Sequence, residues 1–178
     1  MVQLTTRDIT RHIEVMTGTY TLMQLRPLYT HKNKELKKTS KFYLYDQGII
    51  NTVIQDFRPR RLRGDGGVII EQFVYQEILK SLDIRFQIKY WWTTDGKEVD
   101  FVLEKDRTYL PIEVKTHWQK GKIPTGIKAF CKAYPECKTA MILSEGEEYE
   151  ETIDGLRIFR FNWYRAFYLK EFFSEFVG

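Results

Sequence analysis

The chain predicts a mixed α/β fold, a single sheet flanked by helices, and three observations carry that expectation. Short runs of strand-forming residues over 84–91, 97–104 and 109–115 follow one another with only turns between them, which reads as an antiparallel meander. A helical period over 124–134 then separates the meander from a further strand at 138–144, and a helix between two strands is the usual crossover. Helical periods also bracket this block, over 67–82 and 163–174.

Taken in order, residues 5–17 read as a short helix and Tyr20 to Tyr29 as an extended segment. Lys41-Phe42-Tyr43-Leu44-Tyr45 alternates like a strand, and after Asp46 a second short helix runs through Ile49, Ile50, Val53 and Ile54. Gly64-Asp65-Gly66-Gly67 divides the chain into a small helical piece, 1–63, and the α/β domain, 64–178. Asp95-Gly96 is a two-residue turn signal between the first two strands of the meander. A strand at 156–161 extends the sheet, and the acidic run Glu145, Glu147, Glu148, Glu150, Glu151 reads as a solvated loop. The aromatic helix that begins at Trp163 is expected to cap the sheet edge or to serve a dimer interface.

Composition narrows the class. With 178 residues, 43% hydrophobic and 15% aromatic, the chain can bury a core, so disorder is excluded. No apolar run is long enough to span a membrane and the N-terminus lacks a signal-peptide core, so a cytoplasmic protein is expected. Cys131 and Cys137 have no histidine near them in sequence, which argues for reduced thiols rather than structural zinc.

The net charge of +4 is unevenly spread: residues 1–66 carry +6 and residues 67–178 carry −2. Arg58, Arg60, Arg61 and Arg63 cluster at the end of the basic half, where they suit a polyanion or a solvated surface. Lys120 and Lys122 follow the third meander strand and could also touch phosphate. His117 in the same loop reads as a surface histidine, and Trp91, Trp92 and Trp118 as packing residues before base-stacking ones.

Two of the meander strands hold the chemistry. Glu98-Val99-Asp100-Phe101-Val102-Leu103 and Leu110-Pro111-Ile112-Glu113-Val114-Lys115 place an Asp and a Glu-x-Lys pair on neighbouring strands among apolar residues. Side chains alternate faces along a strand, so Glu113 and Lys115 point the same way. On the helix over 67–82, Glu71 falls within the apolar arc of Val68, Val74, Tyr75, Ile78, Leu79 and Leu82, whereas Glu77 falls opposite it. Buried carboxylates must be paired, protonated or bound to a cation. A divalent ion is the simplest common partner for three of them.

Glu71, Asp100, Glu113 and Lys115, on helix, strand, strand and strand, resemble the PD-(D/E)XK nuclease superfamily. A narrower resemblance runs from about residue 5 to about 145. Lys41-Phe42-Tyr43-Leu44-Tyr45-Asp46-Gln47-Gly48, the segment from Gly67 to Tyr75, Asp95-Gly96-Lys97-Glu98-Val99-Asp100-Phe101-Val102 and Pro111-Ile112-Glu113-Val114-Lys115 are similar to the C-terminal domain of unknown function of prokaryotic AAA+-like P-loop ATPases. That resemblance implies a restriction-endonuclease-like mixed sheet flanked by helices, with residues 1–63 as a winged-helix-type remnant or connector. The family carries Arg where Trp92 stands, so the phosphate contact of that Arg is not expected here. No Gly-x-x-x-x-Gly-Lys-Ser/Thr occurs, so no ATPase activity is expected, and the chain reads as a stand-alone form or a truncated member.

The implied chemistry is metal-assisted phosphodiester hydrolysis, with Mg²⁺ or Mn²⁺ on Asp100, Glu113 and Glu71, and Lys115 beside it. The expected partner is nucleic acid, DNA first, met also by Arg58, Arg60, Arg61, Arg63, Lys120 and Lys122. A non-catalytic module that docks DNA or a protein for an absent ATPase is the alternative, with self-association open. A junction-resolvase-like, structure-selective endonuclease is the third option.

Overall fold

The structure, a computed structural model, describes residues 5–28, 40–82 and 85–176. Helix α1 (Thr6–Gly18) is followed by strands β1 (Leu22–Leu25) and β2 (Lys41–Leu44), then α2 (Gln47–Ile54) and α3 (Gly66–Ser81). The main sheet comprises β3 (Gln87–Trp92), β4 (Glu98–Lys105), β5 (Thr108–His117), β6 (Thr139–Glu145), β7 (Tyr149–Ile153) and β8 (Leu156–Phe161), in the order β3-β4-β5-β6-β8-β7. Helix α4 (Thr125–Ala133) joins β5 to β6, and a 3₁₀ stretch (Trp163–Tyr168) leads into α5 (Leu169–Phe176). The meander β3-β4-β5 is antiparallel, whereas β5-β6 and β6-β8 are parallel. The expected mixed sheet flanked by helices is therefore present.

Alternation builds a core on each side. On β6, Met141 and Leu143 join the cluster under α3 and the C-terminal segment, while Ala140 and Ile142 join the cluster under α4. A central strand buried on both faces reads as a continuous apolar run, as Ala140-Met141-Ile142-Leu143 does. Met23, Leu25 and Tyr43 from the β1-β2 pair pack in the same cluster as Val74, Ile78, Phe101 and Ile112. The Leu28 amide donates to the Tyr90 carbonyl at 2.7 Å, so the N-terminal segment is also tied to β3 by main chain. Beneath β4, Gly126 is obligatory: a methyl there would lie 1.7 Å from the Glu98 carbonyl oxygen.

Several expectations need correction. The acidic run is a loop only at Glu147 and Glu148: Glu145 ends β6, and Tyr149–Ile153, with Glu150 and Glu151, is an edge strand paired with β8, turning through Asp154 and Gly155 at φ 52° and 79°. This is an Asp-Gly signal of the same kind as Asp95-Gly96, and both residues take the left-handed conformation that a two-residue turn demands. Asp95-Gly96 itself sits in a longer connection, in which the Gly96 amide donates to the Thr93 carbonyl and the Thr93 amide to that of Lys97. The C-terminal aromatic segment does not cap the sheet edge. Its 3₁₀ turn packs on α3, with Phe73 against Trp163 and Phe167 at 5.4 and 5.1 Å between ring centroids. That packing covers a second side of α3, so Glu77 is buried although it lies opposite the apolar arc, and Val68, inside the arc, is exposed.

Candidate functional site

The site lies where the sheet opens between β4 and β5. Their pairing ends at Phe101 opposite Ile112, and beyond it the Val114 amide donates to Asp100 Oδ2 at 2.8 Å instead of to a strand carbonyl. On the other side of β4, Lys89 pairs with Val102 and Trp91 with Val99, so three steps of β4 face two of β3. The extra residue is a β-bulge, which interrupts strict alternation around Asp100. Sequence alternation therefore finds the residue but not the device that turns it.

Glu113 is buried, and its Oε1 accepts from Lys115 Nζ at 2.5 Å, as two residues of one strand face can arrange. Its Oε2 is buried with no hydrogen-bond partner. Glu71, half-buried on α3, accepts from the Tyr43 hydroxyl at 2.6 Å and from Lys41 Nζ at 3.3 Å. Lys41 also pairs with Glu98. Thus Lys41, Tyr43 and Glu98 join the four residues expected from sequence. The signal that finds them is again alternation, because Lys41 and Tyr43 are two apart on β2, and Glu98 and Asp100 two apart on β4.

Electrostatics follow from this crowding. Burial first, then the Glu113 and Glu71 carboxylates, push Asp100 up to about 8. Burial also raises Glu113, with Lys115 offsetting part of the rise. For Lys115, desolvation pulls the ammonium down, but Glu113, Asp100 and Glu71 outweigh it and the net shift is upward. Lys41 behaves in the same way, with Glu71 and Glu98 overcoming its desolvation. The Tyr43 hydroxyl, buried and facing Glu71, is driven far above the ordinary phenol range and acts as a donor.

The donor set is chemically suited to a divalent cation. It offers hard carboxylate oxygens, one of them buried without a partner, beside an acid whose ionisation is opposed by burial and by Glu113 and Glu71. As placed, among the described residues, no three His, Cys, Asp or Glu side chains are drawn together as a ready metal group. Lys41 and Lys115 take the carboxylate oxygens of Glu71 and Glu113 instead.

The basic residues separate into different roles. Arg58 is exposed and forks onto Asp56, with Nη2 to Oδ2 at 2.7 Å. Arg63, expected at a nucleic-acid surface, is instead buried: its Nε and Nη2 hold Asp65 at 2.9 and 2.7 Å, and Nη1 donates to Asn51 Oδ1 and the Asp56 carbonyl, both at 2.6 Å. Its charge serves the fold. Arg60 pairs with Glu145 and lies over the Trp163 ring, and Arg61 is exposed beside it. Lys120 lies over Tyr149 and Lys122 is exposed, its carbonyl accepting from Trp118 Nε1 at 3.1 Å. Trp91 is a core residue against Phe130, and His117 is exposed at the end of β5. Cys131 and Cys137 are free thiols with sulfurs 3.3 Å apart.

Comparison with known families matches residues 66–164 to DUF4143, a domain of unknown function commonly found with AAA ATPases. The match covers more than half of the chain, and the protein belongs to that family. It includes Glu71, Asp100, Glu113 and Lys115 but starts after Lys41 and Tyr43. No curated protein matches the chain.

Proposed function

We propose that this chain is a PD-(D/E)XK-type nuclease-like domain that binds nucleic acid and hydrolyses a phosphodiester with Mg²⁺ or Mn²⁺. The observation that carries the reading is the Asp100–Glu113–Lys115 arrangement: two acids at the opening of two strands, one oxygen unpartnered, and an ammonium 2.5 Å from the second acid. Asp100, Glu113 and, from the helix, Glu71 would hold the cation, which when bound supplies charge neutralisation at the phosphate and acidifies water. Lys115 is 39% exposed, so its ammonium can reach a phosphate oxygen while Glu113 keeps it charged. Tyr43 fixes Glu71 by donating to it, and Lys41 balances the charge of Glu71 and Glu98. Arg60 and Arg61, with Lys120 and Lys122, provide positive charge for the strand's backbone.

A second reading has its own observation. Lys41 and Lys115 each engage a carboxylate, which is how an inert, self-neutralised shell would look. In that case the domain docks nucleic acid or a protein without turnover. Mg²⁺-dependent cleavage of single-stranded, double-stranded and branched DNA and of RNA separates the two. The nuclease reading expects cleavage that disappears in Glu113→Gln and Lys115→Ala while binding persists, since both groups act mainly on the transition state. Binding without cleavage in the wild type would select the docking module, and absence of both would reject the nucleic-acid reading.

A further inference from the structure

Past Lys115, β5 continues through Thr116 and His117 into a cavity of about 610 Å³ that the acid–lysine site does not use. Its walls include Arg60, Arg61, His117 and the first residues of α3, Gly66 and Gly67. A register break in the β5-β6 pairing falls between Val114 and His117, so Thr116 and His117 both line the cavity instead of alternating across the sheet. The strand thus connects the two places: at about 3.3 Å per residue, His117 lies about 7 Å along the chain from Lys115.

Three features of this cavity favour an anion. Arg60 and Arg61 converge on it from one 3₁₀ turn, and the one carboxylate among its lining residues, Glu145, answers Arg60. Gly66 brings that turn close, since a methyl there would lie 2.9 Å from the Arg60 carbonyl oxygen. Asp65 precedes α3 but makes no side-chain cap, because its carboxylate is committed to Arg63. The opening amides of a 16-residue helix are therefore left without a side-chain acceptor beside two guanidinium groups.

We infer that this cavity is a phosphate-binding subsite, which in the proposed nuclease holds the phosphate next to the one presented to Lys115. The strand assignment rests on that proposed function, whereas phosphate binding by the cavity does not. Arg61 and the α3 amides provide the contacts, and Glu145 is the resident anion with which an incoming phosphate competes for Arg60.

The subsite is tested by calorimetric titration with inorganic phosphate at low ionic strength, in parallel with DNA binding across a salt series. Wild type should bind phosphate, Arg61→Ala should weaken it about tenfold, the loss expected for one hydrogen bond to a charged group, and Glu145→Gln should tighten it. Gly67→Asp places a carboxylate at the cavity wall, at a position with open space around it and in the helix turn that favours acids. This variant should fold normally and lose phosphate binding. If Arg61 meets the strand, the salt dependence of DNA binding should also become shallower by about one in Arg61→Ala. No phosphate binding by wild type, or equal binding by Arg61→Ala and folded Gly67→Asp, would overturn the subsite. Phosphate binding that follows these variants without any DNA binding would support the cavity and reject the nuclease reading.

Discussion

Two charged clusters meet α3, one through Asp65 just before the helix and one through Glu71 within it, and they are built on opposite terms. Around Arg63 each group is matched: the guanidinium forks onto Asp65, reaches Asn51 and the Asp56 carbonyl, and in turn holds the Asp65 carboxyl below the usual carboxylate range. Around Asp100 the groups are mismatched: burial and then the charges of Glu113 and Glu71 push Asp100 up to about 8, and Glu113 Oε2 has no partner. Matched buried charge holds a chain in place. Mismatched buried charge is a standing cost, expected where a ligand completes the set.

The largest effect should come from breaking the matched cluster. Arg63→Ala removes the side chain that ties the α2–α3 connection together, and thermal unfolding should show Tm falling by roughly 5 °C or more. Arg63→Lys should recover little of this, because an ammonium cannot reproduce the planar fork. Asp100→Asn should act in the other direction and raise Tm at neutral pH without metal, since an amide is neutral in the fold without taking up a proton. If both substitutions destabilise equally, the distinction between the clusters fails.

A second effect is the pH dependence of stability. Asp100 titrates at about 8 in the fold against 3.8 ordinarily, so the folded state binds its proton more tightly. Stability from this group is therefore fully present below about pH 4, declines as pH rises between about 4 and 8 with a slope of at most about 1.4 kcal/mol per pH unit, and is gone above about 8. Asp65, held below its ordinary value by its hydrogen bond from Arg63, contributes the reverse: stability present at neutral pH and lost on acidification. Denaturant unfolding of wild type and Asp100→Asn from pH 5 to 9 should show, in wild type only, a decline from Asp100 that runs up to about pH 8 and then levels off. An unchanged decline in Asp100→Asn would remove Asp100 as its source.

How much of this was legible before folding depends on the device involved. Glu71 is found by helical period, and Glu113 with Lys115 by strand alternation, because both follow from local geometry. The bulge beside Asp100 is a property of two strands in register, and no residue in Val99-Asp100-Phe101 announces it. Lys41, Tyr43 and Glu98 were open to the same alternation rule, but the basic half offers many lysines and one strand does not reveal which faces the site. Arg63 was misplaced because a run of arginines looks alike until Asp65 and Asn51 are brought to one of them. Glu77 and the acidic edge strand were misread for a related reason. The C-terminal segment that covers α3 and the β8 strand that pairs with Tyr149–Ile153 are both distant in sequence.

The central claim is that the mismatched cluster at Asp100 and Glu113 is completed by a divalent cation. The most direct measurement is Tm of wild type, Asp100→Asn and Glu113→Gln against Mg²⁺ concentration. Preferential binding to the folded state should raise the wild-type Tm by about 3 °C or more at tenfold over the dissociation constant, with the rise lost in both variants. A wild-type Tm indifferent to millimolar Mg²⁺, or a rise of equal size in all three proteins, would contradict it.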